Sequence, residues 1–207
     1  MINIKNKLKR KIHDSVTFFS LVGKMKKIPR TGWLLHGITN VESIAEHSFS
    51  VTTIAYFLAE DLGCNSSKLV KMAMIHDLAE IMTGDIVSEN GVIMDLEKRK
   101  NKIVIERNKI KTIPSLIFNG KELQNLWEEY ESQSSKEARI LKQIDKFEMS
   151  MQALQYENPR NPNHLREFWE NAKKYIKHPT LLNLFKELCK RRTPPYNDYN
   201  LIGKRFL

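Results

Sequence analysis

Cysteine is almost missing from this chain. Two residues, Cys64 and Cys189, are too few for a disulfide framework and too far apart for a cysteine-rich metal knuckle, so both read as ordinary thiols of a reducing compartment. Glycine and proline are scarce as well, 8 and 7 among 207 residues, which disfavours repeated hairpins and favours long helices. No run approaches the roughly 18 apolar residues of a membrane span. The N-terminal MINIKNKLKRKIHD has no apolar segment of the kind that precedes a cleavage site. The expectation is a cytoplasmic protein that makes no use of a membrane. Acidic excess is also lacking: net charge is +10, which permits binding of nucleic acid or capture of a small phosphorylated ligand. The lysines fall in runs such as KNKLKRK and KRKNK with apolar residues interleaved, and such runs read as solvated helix faces.

What remains is helical periodicity. The length suits one domain, residues 1–207, with a core at about 15–175, a C-terminal helix and an irregular tail at about 191–207. Ile4, Leu8, Ile12, Val16 and Phe19 recur near a 3.6-residue period and predict an amphipathic first helix with that stripe buried. KKIPRTGWLLHGITN, 26–40, reads as a long ordered loop broken by Pro29, Gly32 and Gly37. Ser43 and Glu46 have the spacing of a capping box and predict a helix from about 44. A third helix, capped near Asn65, is expected to run through KMAMIHDLAE to about Ile81. The turn-rich MTGDIVSENG follows, then helices at about 95–111 and 121–131, one opened by a second capping box at Ser134 to Glu137 and running to about Tyr156, and two more at about 163–175 and 180–190. No internal repeat or strand pairing is evident, and the fold class is all-α.

Chemistry enters through polar residues on apolar helices. Apolar residues occupy every face around His76 and Asp77, so both should be enclosed, and a buried carboxylate is costly unless paired or bound to a metal. The same dipeptide at His13-Asp14 serves as a control, because lysine and arginine surround it and mark it as surface. His47 interrupts the apolar stripe of the second helix, and Asp145 lies at the edge of another. Two imidazoles and two carboxylates on three helices make a plausible N₂O₂ site for a divalent transition metal, with open positions that suit metal-assisted hydrolysis. Glu46, next to His47, is explained by its capping box, and nothing in the spacing of His36 demands a role.

The series His47, His76-Asp77 and Asp145 resembles the H…HD…D signature of the HD-domain metal-dependent phosphohydrolases. PRTGW, ESIAEHS, MIHDLAEIMTGDI, LWEEYESQSSKEA and QIDKFEMSMQALQYE extend the likeness to the branch of HD domain-containing protein 2 and the 5′-deoxynucleotidases. The resemblance implies an HD-domain helical bundle around a metal held by His47, His76, Asp77 and Asp145. The ion would be Mn, Co, Zn, Fe or Ni. It also implies that Glu80 assists catalysis, that Asp85 lies near substrate and attacking water, and that Arg30 and Trp33 hold phosphate and deoxyribose. In the bacterial branch Arg and Trp are adjacent, whereas Thr31-Gly32 separates them here.

The implied activity is a cytoplasmic 5′-deoxynucleotidase-like phosphohydrolase, a homodimer that acts on deoxynucleoside 5′-monophosphates. Two alternatives stay open. One is an HD phosphodiesterase or pyrophosphohydrolase on another nucleotide. The other is a basic helical nucleic-acid-binding protein with a structural metal, which Glu80 and Asp85 beside the ligands argue against.

Overall fold

A computed structural model describes residues 2–86, 96–158, 161 and 163–192. The described residues are helical, with no strand among them; two isolated bridges, Pro29 with Ser43 and Asn158 with Asn161, are their extended pairings. The helices are α1 (Ile2–Val22), α2 (Thr31–Leu35), α3 (Ile44–Leu58), α4 (Ser66–Ile75), α5 (Glu80–Thr83), α6 (Leu96–Ile110), α7 (Gly120–Ser132), α8 (Lys136–Tyr156), α9 (Arg166–Tyr175) and α10 (Pro179–Lys190). None of them is long and apolar enough to cross a membrane. The chain groups into two compact units, Met1–Lys142 and Gln143–Leu207, and the division falls inside α8. The tail expected after 191 lies outside the described residues from 193 on, as does the end of MTGDIVSENG from 87 on.

In the first unit the core gathers Phe18, Met25, Ile44, Leu78, Ala79, Ile110, Ile113, Leu123 and Trp127. Helix α3 packs on α4, and α4 packs on α7. In the second unit Trp169 of α9 lies against Phe185 of α10, ring centroids 6.0 Å apart. Arg192 covers Trp169 at 4.5 Å and forms an ion pair with Glu157. The Gln143 carboxamide oxygen accepts from the backbone N–H of Lys177 and His178, each at 2.8 Å, just before the N-terminus of α10.

Several local expectations need correction. Helix α1 is amphipathic, but Leu8, Ile12, Val16 and Phe19 are exposed; Asp14, Ser15 and Phe18 turn inward, and only Phe18 of that face reaches the core. His13 is exposed as expected, whereas Asp14 is half-buried and pairs with Arg10 at 3.8 Å. The loop at 26–40 contains α2, and the predicted third helix stops at Ile75. Met74 on that helix is exposed, so α4 is not enclosed on every face. The cap of α8 is Ser135, whose hydroxyl accepts from the Ala138 N–H at 3.1 Å; Glu137 instead accepts from the Asn65 N–H.

Candidate metal centre

The site is assembled from helix ends. At the start of α3 the Ser43 hydroxyl accepts from the Glu46 N–H, and the Glu46 carboxylate accepts from the Ser43 N–H at 2.6 Å, so the reciprocal box forms as the sequence predicts. This fixes the register of the first turn and sends His47 inward with Ile44 and Val51, all three without exposed surface.

His76 is the C-cap of α4. Its Nδ1 lies 2.7 Å from the Ala73 carbonyl, one of the last-turn acceptors of the helix. The chain then continues through i→i+3 bonds, Leu78 N–H to Ile75 O and Glu80 N–H to Asp77 O, each 3.0 Å, into the single turn of α5. The break therefore falls at His76-Asp77, between α4 and α5.

A carbonyl can only accept, so the His76–Ala73 bond places the proton on Nδ1 and the lone pair on Nε2. His76 Nε2 lies 3.3 Å and His47 Nε2 3.6 Å from Asp77 Oδ2. One ligand atom from each of the three residues falls within 4.8 Å of the others, close enough to hold one cation. The rings sit 5.5 Å apart, and Tyr130 of α7 braces His76 edge-on at 5.5 Å. Two buried imidazole nitrogens facing one carboxylate oxygen suit a borderline transition ion better than Mg²⁺ or Ca²⁺, which favour all-oxygen sites.

Arg30 approaches the same carboxylate, with Nη1 3.3 Å from Asp77 Oδ2 and 3.9 Å from Asp85 Oδ1. Asp85 follows Gly84, whose φ of 73° lets the backbone turn where a side chain would be strained. Asp85 Oδ2 accepts from the Thr31 N–H at 2.6 Å, and its carbonyl accepts from the Thr31 hydroxyl at 2.8 Å. Asp85 thus caps α2 from a distant segment and holds Arg30 at the same time.

Trp33 lies on α2. It is 1% exposed, with Nε1–H donating to the Glu42 carboxylate at 2.9 Å, so it has little surface to offer a nucleoside.

Glu80 is buried, and Lys102 of α6 donates to its Oε1 at 2.7 Å. Burial, then the Asp77 charge, push the Glu80 carboxyl up to about 8, against the pull of Lys102. Lys102 also lies 3.4 Å from Glu106. Burial alone would lower the Lys102 ammonium, but Glu80, Glu106 and Asp77 outweigh it and hold it above the ordinary lysine range. Burial likewise pushes Glu106 up to about 7, with Lys102 opposing. The run KRKNK therefore does not lie wholly on a solvated face. Helix α6 buries Glu106 and Ile110, largely buries the Lys102 side chain, and exposes Val104 and Ile105.

Asp145 belongs to the second unit, where it is buried and its Oδ2 lies 3.3 Å from Lys146 Nζ.

With this geometry in place, comparison with known proteins is decisive at family level. Residues 22–184 match the HD domain family. The chain belongs to that family. It is 37% identical over 182 residues to the 5'-deoxynucleotidase HDDC2 of Danio rerio, covering 86% of this chain and 88% of the relative. To the Homo sapiens protein of the same name it is 35% identical, covering 85% of each. Among solved structures, the PH0347 protein of Pyrococcus horikoshii superposes with a TM-score of 0.68 at 32% identity, covering 84% of this chain and 97% of the other. At the coarse level the chain is an HD phosphohydrolase.

Sequence reasoning missed Lys102, Glu106, Thr31, Glu42 and Tyr130. Only Lys102 and Glu106 left a trace, their i,i+4 spacing in line with the apolar Ile110.

Proposed function

We propose that this HD protein is a metal-dependent phosphomonoesterase that removes the 5′-phosphate from deoxynucleoside monophosphates. The observation that carries the reading is the convergence of His47 Nε2, His76 Nε2 and Asp77 Oδ2, with Arg30 beside them. A divalent cation held by these residues would supply Lewis acidity and make water a usable nucleophile near neutral pH.

The chain's own residues divide the remaining work. Arg30 carries a planar donor fork suited to phosphate oxygens, and it is held on its loop by Asp85 and Asp77. Its charge offsets the negative charge that grows on the phosphoryl group in the transition state. Glu80, anchored through one oxygen, is the proton carrier: it takes a proton from attacking water and returns one to the departing 5′ oxygen. A carboxyl pushed up towards neutral suits that exchange better than an ordinary glutamate. Asp85 supports Arg30 near the phosphate, and buried Trp33 braces the loop that carries it.

A homodimer has a suitable surface on α3. Its inner face is apolar, yet Phe49, Tyr56 and Phe57 lie exposed on the outer face. A cluster of exposed aromatic side chains is normally covered, and we assign that outer face to a second copy of this chain.

The test is phosphate release from a panel of nucleoside 5′-monophosphates after metal stripping and re-addition of single divalent ions. Release from deoxynucleotides restored by a transition ion is expected. Release only from cyclic or pyrophosphate-linked nucleotides, or no metal-dependent release, would refute the reading.

A further inference from the structure

Helix α6 inverts the usual rule for an amphipathic helix: a lysine and a glutamate turn inward while Val104 and Ile105 face solvent. Side-chain exposure is 19% for Lys102, 4% for Glu80 and 5% for Glu106. Burying three ionisable groups costs several kcal/mol unless they satisfy one another, and an all-apolar contact at this place would be the cheaper way to join α5 to α6. Specific chemistry accounts for the choice.

Lys102 Nζ lies 2.7 Å from Glu80 Oε1 and 3.4 Å from Glu106 Oε1. Glu106 stands one turn along α6 from Lys102, so it restrains the lysine from its own helix. Glu80 is gripped through Oε1 only. Its Oε2 is buried and has no hydrogen-bond partner among the described residues, so one oxygen is anchored and the other is left for proton exchange.

We propose that Lys102, backed by Glu106, is a positioning residue that fixes the orientation of the Glu80 carboxylate for proton transfer. The inference rests on the role given to Glu80 above. Charged groups facing Glu80 are Asp77, Lys102, Asp85 and Arg30; those facing Lys102 are Glu80, Glu106 and Asp77; Glu131 and Asp77 also face Glu106. Among these groups Lys102 is the cation whose side chain donates a hydrogen bond to the Glu80 carboxylate.

The experiment compares Lys102→Met, Lys102→Arg and Glu106→Gln with the full-length wild type. In Lys102→Met, kcat should fall about 10–100-fold, the usual cost of losing a supporting partner of a catalytic group. KM should stay within about 2-fold, because ground-state binding is untouched. Bound-metal stoichiometry should not change, and Lys102→Arg should recover most of kcat.

A second readout does not depend on turnover. The Glu80 carboxyl ¹³C resonance, assigned by its loss in Glu80→Gln, should titrate about one pH unit or more higher in Lys102→Met, because removing a cation favours the protonated acid. If Lys102→Met does not fold, Glu106→Gln carries the test, and the same resonance should titrate lower once the competing carboxylate is gone. A folded Lys102→Met with wild-type kcat and titration, or an unmoved resonance in Glu106→Gln, overturns the proposal. Absence of any deoxynucleotidase activity in the wild type with an altered Glu80 titration in Lys102→Met would instead refute the assigned reaction and leave the positioning contact standing.

Discussion

Asp85 gives the most exacting local test, because one side chain holds the loop of the site in two ways. Its Oδ2 accepts the Thr31 N–H at 2.6 Å. That donor is the first in α2 and has no acceptor within its own helix. A hydrogen bond to a charged acceptor contributes about 1.5–3 kcal/mol. Asp85→Ala removes it from a partly buried site, while the bond from the Thr31 hydroxyl to the residue 85 carbonyl survives. A loss of about 2 kcal/mol should lower the melting midpoint by about 4–8 °C in a chain of this size. Asp85→Asn keeps an oxygen acceptor and should lose less than about 1 kcal/mol, since a neutral bond replaces a charged one. The assay is urea and thermal unfolding of metal-stripped protein, so that metal release does not contribute. If Asp85→Ala unfolds with the wild type, or if Asp85→Asn is as unstable as Asp85→Ala, the loop is not held in this way.

The other predictions concern the division of roles. Glu80→Ala should retain bound metal and lose turnover by about 100-fold or more, whereas Asp77→Ala should lose both; metal content measured beside phosphate release separates them, and a fully active Glu80→Ala would remove its assigned role. Trp33→Phe deletes one hydrogen bond to the buried Glu42 carboxylate and should destabilise the protein by about 1–3 kcal/mol in chemical denaturation. Phe57→Glu, on the outer face of α3, should convert a dimer to a monomer in light scattering with little change in thermal midpoint; a dimer that persists would assign the interface elsewhere.

The fold was largely legible because helix periodicity and capping are local. Ser43 and Glu46 form their box, and the buried place of His47 follows from the apolar stripe around it. The grouping of His47, His76 and Asp77 was legible because a buried carboxylate needs compensation, which a surface dipeptide such as His13-Asp14 does not. Other features depend on partners that periodicity cannot reveal. Helix α1 has a regular apolar stripe, but tertiary packing selects the adjacent face containing Phe18. The stop in α4 arises where His76 engages the Ala73 carbonyl, a contact that competes with helical continuation and leaves no mark in hydrophobicity. Lys102 reads as solvated in the run KRKNK, and only the position of Glu80 explains its burial. Trp33 could be singled out as an aromatic in the loop, but its burial and its bond to Glu42 leave no mark in the sequence pattern.

The most direct measurement of the central claim is anomalous diffraction from crystals of the protein loaded with Mn²⁺ or Co²⁺. The account predicts a strong peak within about 2.0–2.3 Å of the Nε2 atoms of His47 and His76 and of an Asp77 carboxylate oxygen, and its disappearance in His76→Ala. No peak at these three residues under conditions that support phosphate release, or a peak confined to other carboxylates, would contradict it.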